Sequence, residues 1–207
     1  MSTPPLSVPE QPLSILHEVG QLYAFDAQDF AERFDVLREQ VTTKSGRIKS
    51  FVDLLMGFEC ALKAHIALAG ARDNLDPTAT YQKIRRGSHN IARLAGDAGL
   101  LADKAPYTEI ASRLGGYSVF LRYSLDATEA FFPWYKDRDQ ARFNYSSTIG
   151  SEAWIEKTRS MLNPVLDTAL EVVTGEVGSS AGGLDDIFEH EKAMSEFFHA
   201  VTDRRAS

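Results

Sequence analysis

The sequence predicts an all-α protein, an antiparallel helical bundle of roughly five or six main helices with an appended C-terminal helix. Along most of the chain apolar residues recur at spacings of three and four, the period of one face of an α-helix. The sequence shows neither the strand–helix alternation of a parallel sheet nor an internal repeat. A chain of 207 residues can bury a sizeable core without disulfides, which fits its single cysteine.

The first two predicted helices are long. Asp26 is a suitable N-cap for a helix at about 27–43, in which Phe30 and Phe34 would face the core. After Ser45-Gly46, a helix at about 47–71 has apolar residues along one side and should be the central core helix. That apolar stripe consists of Phe51, Leu54, Leu55, Phe58, Leu62, Ile66 and Ala69.

Two shorter helices should follow, with a corner between them. The turn around Asp76-Pro77 precedes a helix at about 78–86. Gly87 would allow a tight turn, and Ser88 would cap a second helix at about 89–96.

The next part of the chain is expected to combine helices with an aromatic loop. A helix beginning at Pro106 should continue past Gly115-Gly116 with a bend or a close contact there. Between Phe131 and Ser147, aromatic side chains should dock a structured loop on the bundle. Ser151 should cap a helix that extends to about 174 and is kinked near Asn163-Pro164.

The predicted organisation has four parts. They are a disordered tail at 1–12, a helical bundle at 13–174, a glycine–serine linker at 175–183 and a C-terminal helical segment at 184–207. The tail contains four prolines and no basic stretch, so it does not resemble a signal peptide. The linker would allow the last helix, at about 184–202, to pack in cis or on a second subunit.

Positive charge is concentrated in one segment of an acidic protein. The net charge is −7, which disfavours a general nucleic-acid binder, yet Tyr81 to Gly96 contains four Lys or Arg and no acid. Lys83 and Arg86 would share a helix face, and the following helix N-terminus would attract anions. The segment therefore suggests a phosphate-binding corner. The alternative is a solvated basic turn in which His89 is a structural hydrogen-bonding residue.

Several catalytic and metal-binding motifs are excluded by their context. Residues 178–182 match G-x-S-x-G but lie in the predicted linker, without the strand and helix that a nucleophile elbow needs. Glu189-His190-Glu191 with His199 is expected to be surface charge and not a metal site. His65 is expected to be a core or partner-facing histidine, and Cys60 a small buried hydrophobe. The sequence thus predicts no metal and no cofactor.

Three short motifs, in order along the chain, resemble the HEPN superfamily of helical bundle proteins. The first is Phe58 to Ala64, where Glu59 and Lys63 form an i,i+4 pair. The second is Gly87-Ser88-His89-Asn90-Ile91 with Leu94, similar to a Gly-His-Asx-Leu-x-x-Leu segment but with Ser88 inserted and isoleucine in place of leucine. The third is Leu121-Arg122-Tyr123. The resemblance covers about residues 47–174 and implies an antiparallel bundle that is often dimeric.

One departure from the family pattern concerns catalysis. HEPN ribonucleases carry an arginine and a histidine separated by four to six residues in a late helix. Here three residues separate Arg85 from His89 and two separate Arg86 from His89. Both pairs share their histidine with the earlier motif and do not lie in a late helix. Metal-free RNA cleavage by the known route is therefore not implied.

Three functions remain open at the level of sequence. The first is a HEPN-like module that binds RNA, a nucleotide or a partner protein, as in bacterial toxin–antitoxin or phage-defence systems. Its site residues would be Lys63, Arg85, Arg86, His89, Arg122 and Tyr123, with Glu59 in a structural network that locks the helices together. The second is a divergent ribonuclease in which His89 is the general acid or base and Arg85 or Arg122 stabilises the transition state. The third is a purely structural or interaction protein.

The sequence also gives expectations about oligomeric state and cellular location. The resemblance implies a homodimer. The single cysteine is compatible with a reducing cytoplasm, and no apolar run reaches the length of roughly 18 residues that a membrane span requires.

Overall fold

The computed structural model describes residues 14–133, 141–176 and 184–202. Within these ranges the regular structure is helical and no strand is formed, so the predicted all-α class is confirmed. No helix in the described part combines the length and apolar character needed to cross a membrane. The predicted N-terminal tail and residues 177–183 of the predicted linker lie outside the described residues.

The elements follow one another with short connections. In chain order they are α1 (Ile15–Gln40), α2 (Lys44–Arg72), α3 (Pro77–Gly87), α4 (Ile91–Asp97), α5 (Ala105–Leu114), a 3-10 turn (Val119–Arg122), α6 (Ser124–Phe131), α7 (Glu152–Ser160), α8 (Asn163–Glu176) and α9 (Leu184–Thr202).

Helices α1 and α2 form an antiparallel hairpin, because they pack along their length and only three residues separate them. The expected start of α1 near Asp26 is wrong: Ser14 is the N-cap, and its hydroxyl accepts a hydrogen bond from the backbone N–H of His17. The buried face of α1 includes Gly20, Ala24 and Ala27. Such small side chains give little apolar signal in a sequence, although they let two helices approach closely.

Helix α2 is the centre of the fold. It contacts α1, α3, α4, α8 and the 3-10 turn, and it is buried on nearly all sides. It begins at Lys44, earlier than expected, because the hydroxyl of Thr43 caps it and Ser45-Gly46 form its first turn. Because α2 is buried on nearly all sides, it also buries polar side chains that must find partners within the core. They are those of Ser50, Asp53, Glu59 and His65.

The corner between α3 and α4 differs from the prediction. The cap of α4 is Asn90, whose side chain accepts from the N–H of Arg93, and not Ser88. Ser88 instead has φ of 45°, a left-handed conformation that is uncommon outside glycine. Gly87 is the buried last residue of α3, and a Cβ there would lie 2.4 Å from a methyl carbon of Leu94. The glycine thus permits close packing, and the serine makes the turn.

Two later helices also end earlier than expected. Helix α5 ends at Leu114 with Gly115 as its C-cap, so the apolar residues after it form the 3-10 turn and not a continuation of the helix. The predicted kink near Asn163-Pro164 is a complete break, because α7 ends at Ser160 and α8 begins at Asn163. Ser151 does cap α7, as predicted.

Of the described residues in the predicted aromatic loop, Phe131 alone is helical, as the last residue of α6. The ring of Phe143 stacks on Tyr117 with centroids 4.1 Å apart, and Phe131 and Tyr145 meet edge to face. These aromatic rings therefore dock on the bundle as expected. Trp134, Tyr135, Lys136 and Arg138 of the same segment lie outside the described residues.

The C-terminal helix packs on its own chain. Helix α9 contacts α1 and α3, and His190 is hydrogen-bonded to Glu18 of α1. Met194, Phe197 and Val201 are buried on the side that faces the bundle. The histidine of the Glu189-His190-Glu191 segment thus serves to attach α9.

Candidate functional site

A buried carboxylate organises the candidate site. Glu59, in the middle of α2, has a side chain only 1% exposed. Its Oε1 accepts a hydrogen bond of 2.5 Å from Nζ of Lys63, one helical turn later. Its Oε2 lies 2.8 Å from Nδ1 of His89, which follows α3. A buried charge is costly unless it is paired, and here two donors from different elements satisfy it.

This arrangement fixes the orientation of the His89 ring. A carboxylate can only accept hydrogen bonds, and therefore Nδ1 carries the proton. The His89 side chain is 45% exposed, so the ring projects from the buried carboxylate toward the surface. Its edge meets the ring of Phe120 in the 3-10 turn, with centroids 6.3 Å apart. A histidine held by a buried acid and open on its other side can bind an anion or transfer a proton.

Lys63 is held by an aromatic ring as well as by Glu59. Its ammonium lies 5.4 Å from the ring centroid of Tyr23 in α1, a cation–π contact. Burial raises the pKa of Tyr23 well above its usual range. The Lys63 side chain is mostly buried, and we therefore assign it to the interior of the site and not to a ligand-facing surface.

Arg122 and Tyr123 form a separate exposed pair at the end of the 3-10 turn, whose Phe120 contacts the His89 ring. The Arg122 guanidinium donates a hydrogen bond of 2.9 Å to the Tyr123 hydroxyl and lies 4.8 Å from the centre of its ring. Tyr123 is 51% exposed and Phe120 is 52% exposed. Among the described residues no hydrogen bond or ion pair joins Arg122 to Glu59. The residues that the sequence placed in one polar cluster therefore form two groups. Glu59 is buried and Lys63 is mostly buried, Arg122 and Tyr123 are exposed, and Phe120 belongs to the turn between them and His89.

Arg85 and Arg86 are exposed in the last turn of α3. Neither forms an ion pair within the described parts of the chain, whereas Lys83 pairs with Asp97 at 3.1 Å. The expected anion site at the N-terminus of α4 is not formed as predicted, because Ser88 does not cap that helix and α4 has only seven residues. The positive charge available to a ligand is instead that of these two arginine side chains and of Arg93 in α4, which is also exposed.

The other candidate residues have structural roles. His65 is fully buried; its Nε2 lies 2.6 Å from the carbonyl oxygen of Val165, and its Nδ1 lies 2.6 Å from the Tyr107 hydroxyl. The hydroxyl in turn accepts from the N–H of Leu101 at 2.9 Å. Burial lowers the pKa of His65 to about 4, so the neutral ring donates from Nε2 and accepts at Nδ1.

Cys60 behaves as the sequence suggested. It is buried, and burial raises the pKa of its thiol to about 12, so it packs as a small neutral side chain. The residues that the structure describes contain no group of three or more His, Cys, Asp or Glu arranged to hold a metal ion. The G-x-S-x-G segment at 178–182 lies outside them.

Two residues of the site are not identified by the sequence patterns. Phe120 has the spacing of an apolar helix residue, but it is exposed, because the chain forms a 3-10 turn where a helix is expected. Tyr23 lies before the expected start of α1 and so escapes notice. Once Ser14 is identified as the N-cap, the spacing of four residues between Tyr23 and the buried Ala27 indicates that both lie on the same face of α1.

The comparisons with known proteins return no relative. No protein-family model matches the chain, and neither a curated protein nor a solved structure matches it.

Proposed function

We propose that the protein is a HEPN-like helical module that binds single-stranded RNA at the surface formed by Arg85, Arg86, His89, Phe120, Arg122 and Tyr123, here called the corner surface. The observation that carries the proposal is the contact between the rings of His89 and Phe120, which joins the turn that carries the exposed Arg122 and Tyr123 to the connection that follows the exposed Arg85 and Arg86. Unpaired bases stack on aromatic and guanidinium planes, while arginines contact phosphates. Double-stranded nucleic acid would not present its bases to this surface.

The proposal includes the setting implied by the family resemblance. The module would act as a cytoplasmic homodimer in a bacterial toxin–antitoxin or phage-defence system. Support for this part comes from the three sequence motifs, and a sedimentation measurement of the free protein tests the dimer directly.

Binding to a labelled single-stranded RNA of about 12 nucleotides tests the function. We expect the double substitution Arg85→Ala with Arg86→Ala to weaken binding about tenfold at roughly 0.1 M salt, and to reduce the slope of log affinity against log salt by about 1.4. Lys157→Ala with Lys192→Ala is the matched control, because it removes the same charge from exposed residues of α7 and α9. Equal losses in both double variants, or no saturable binding by the wild type, would contradict the proposal.

Stacking has its own test. Tyr123→Ala should weaken binding by about 1–3 kcal/mol, because the base loses its platform, whereas Tyr123→Phe should retain most of the affinity. If Tyr123→Phe loses as much as Tyr123→Ala, the hydroxyl and not the ring makes the contact.

A second candidate function, RNA cleavage, is favoured by the Glu59–His89 pair. In this reaction the RNA 2′-hydroxyl attacks the adjacent phosphorus, His89 Nε2 accepts its proton, and the 5′-oxygen leaves with a proton from an acid or from water. Glu59 would stabilise the imidazolium, while Arg85 or Arg122 would stabilise the phosphorane-like transition state.

Cleavage is tested with His89→Ala and with His190→Ala as the matched control, since each histidine is paired with a glutamate. We expect cleavage by the wild type and by His190→Ala and its loss in His89→Ala. Intact RNA after incubation with the wild type would reject this second candidate and leave the binding proposal in place.

A further inference from the structure

A groove separate from the corner surface lies between the second half of α1 and helix α7. Its volume is about 550 Å³, within the range of roughly 300–1,000 Å³ that small-molecule sites occupy. Phe34 of α1 and Ile155 of α7, each only 1% exposed, form the apolar part of its lining. The rest of the lining is polar or charged and comes from α1, α7 and the first turns of α2 and α8. The groove thus suits a ligand that has both an apolar body and charged ends.

Two ion pairs connect α1 and α7 along this groove. Arg38 pairs with Glu152. Arg159 donates to both carboxylate oxygens of Asp35, from Nε to Oδ1 at 3.0 Å and from Nη2 to Oδ2 at 2.9 Å. A bidentate pair of this kind holds both partners in a fixed geometry. These four side chains therefore shape the groove, and their charges already have partners.

Three further charges that line the groove have no ion-pair or hydrogen-bond partner in the part of the chain that the structure describes. They are Glu39 near the end of α1, Arg47 at the start of α2 and Glu156 in α7, and all three are exposed. Glu156 lies four residues after Glu152 and three before Arg159, so it projects on the same face of α7 as the two ion pairs. The charge left open to a ligand is therefore that of two carboxylates and one guanidinium.

This combination selects a ligand that carries both signs of charge. An anion such as phosphate would meet one guanidinium but two carboxylates, and a simple diamine would leave the guanidinium unpaired. A basic amino acid has a carboxylate and two cationic groups on a flexible apolar stem, so its charges complement all three open groups at neutral pH.

We propose that the groove binds a free basic amino acid, with arginine as the ligand to test. The ligand carboxylate pairs with Arg47, and the ligand ammonium and guanidinium pair with Glu39 and Glu156. The methylene groups of the ligand lie against Phe34 and Ile155. This site is independent of RNA binding, because none of these five residues belongs to the corner surface.

Three ligands of nearly the same shape test the assignment by titration calorimetry of the full chain at about 0.05 M salt, where surface charges are weakly screened. L-Arginine carries all three charges, L-citrulline lacks the side-chain charge, and agmatine lacks the carboxylate. We expect saturable binding of arginine and at least about tenfold weaker binding of each analogue, because each loses one charged contact. The proposal is overturned if arginine gives no saturable signal up to about 10 mM, or if either analogue binds as tightly as arginine.

Substitutions at the open charges locate the site. Arg47→Gln should weaken arginine binding about tenfold but leave agmatine binding unchanged, since only arginine has a carboxylate contact to lose. Glu156→Gln should weaken the binding of both ligands, because both carry the cationic groups. The two side chains are exposed and unpaired within the described residues, so both variants should fold like the wild type.

Lys49→Gln is the matched control for Arg47→Gln. Lys49 is also an exposed cation of α2 without an ion pair in the described ranges, but it does not line the groove. The groove is not the site if Arg47→Gln weakens arginine binding no more than Lys49→Gln does. Arginine binding is measured without RNA, so this result and the outcome for the corner surface are obtained separately.

Discussion

Glu59 is the residue on which the candidate site depends. Its carboxylate lies inside the core and accepts hydrogen bonds from Lys63 and His89. A buried charge that keeps both partners contributes little net stability, but removal of the charge leaves the partners without compensation. The energetic importance of Glu59 is therefore seen when it is changed.

We predict that Glu59→Gln lowers the free energy of unfolding by about 2–4 kcal/mol, because the Lys63 ammonium loses a buried anionic partner. Glu196→Gln is the matched control, since Glu196 also pairs with a lysine at i,i+4 but lies on the surface, 3.9 Å from Lys192. It should change stability by less than about 0.5 kcal/mol. Chemical denaturation measures both. Equal effects would mean that the Glu59 charge is not buried in solution.

His65 predicts a pH dependence of stability. Burial lowers its folded pKa to about 4, against an ordinary value of 6.5. Between these values the unfolded chain binds a proton that the folded chain does not, so the free energy of unfolding falls as the pH falls. Above about pH 6.5 the titration of His65 does not affect the free energy of unfolding. Toward pH 4 it lowers that free energy by up to roughly 3 kcal/mol.

The measurement is denaturation of the wild type and of His65→Gln at several pH values. The difference between the two curves isolates His65 from the other histidines, because only that side chain differs. The wild type should lose more stability than His65→Gln on acidification. Parallel curves would show that His65 is not held neutral in the core.

A contact within the site was predictable from the sequence where its two residues lie close together on one helix. Glu59 and Lys63 are one turn apart on a helix, and helical geometry alone brings them together. A contact between Glu59 and His89 could be suggested, but residue spacing could not establish it, because the contact depends on how α3 packs against α2. The place of Arg122 depends on a 3-10 turn that begins after two glycines, which no helical period reveals.

Among the elements, the pair α3–α4 positions His89. The two helices meet so closely at Gly87 that a Cβ would overlap Leu94. The chain then turns at Ser88 in a left-handed conformation, and Asn90 starts α4. His89 projects from this short connection, so its position depends on the contact between the two helices.

We predict that Gly87→Ala lowers the free energy of unfolding by about 1–3 kcal/mol, since Leu94 is fully buried and must move. Gly96→Ala, in α4 itself, should instead raise it by roughly 0.5–1 kcal/mol, because a Cβ there meets nothing within 4 Å and alanine favours the helix. Thermal or chemical denaturation distinguishes the two. The account of the corner is wrong if Gly87→Ala is as stable as Gly96→Ala.

Element by element, the sequence pattern succeeded where large apolar residues mark the buried face. Helices α2 and α9 were predicted close to their observed positions. Helix α1 was shortened in the prediction because its buried side alternates Leu16 and Val19 with the small residues Gly20 and Ala24, which give little apolar signal in a sequence. Helix α5 was extended because the apolar residues of the 3-10 turn continue its spacing by coincidence.

For the molecule as a whole, the net charge is opposite in sign to the arginines of the corner surface. The chain carries a net charge of −7, but exposed arginines lie on either side of His89 in chain order, in the last turn of α3 and in the 3-10 turn. An acidic protein with one local basic surface repels nucleic acid elsewhere and accepts it at that place. Binding at the corner surface should therefore be strongly localised.

The most direct test of RNA binding at the corner surface is a map of backbone amide chemical shifts during titration with a single-stranded RNA. The account predicts that the changes concentrate in residues 85–90 and 119–123, and that they are lost in the Arg85→Ala, Arg86→Ala double variant. Changes centred on the outer face of α7 or α9, or a spectrum that RNA does not alter, would contradict it.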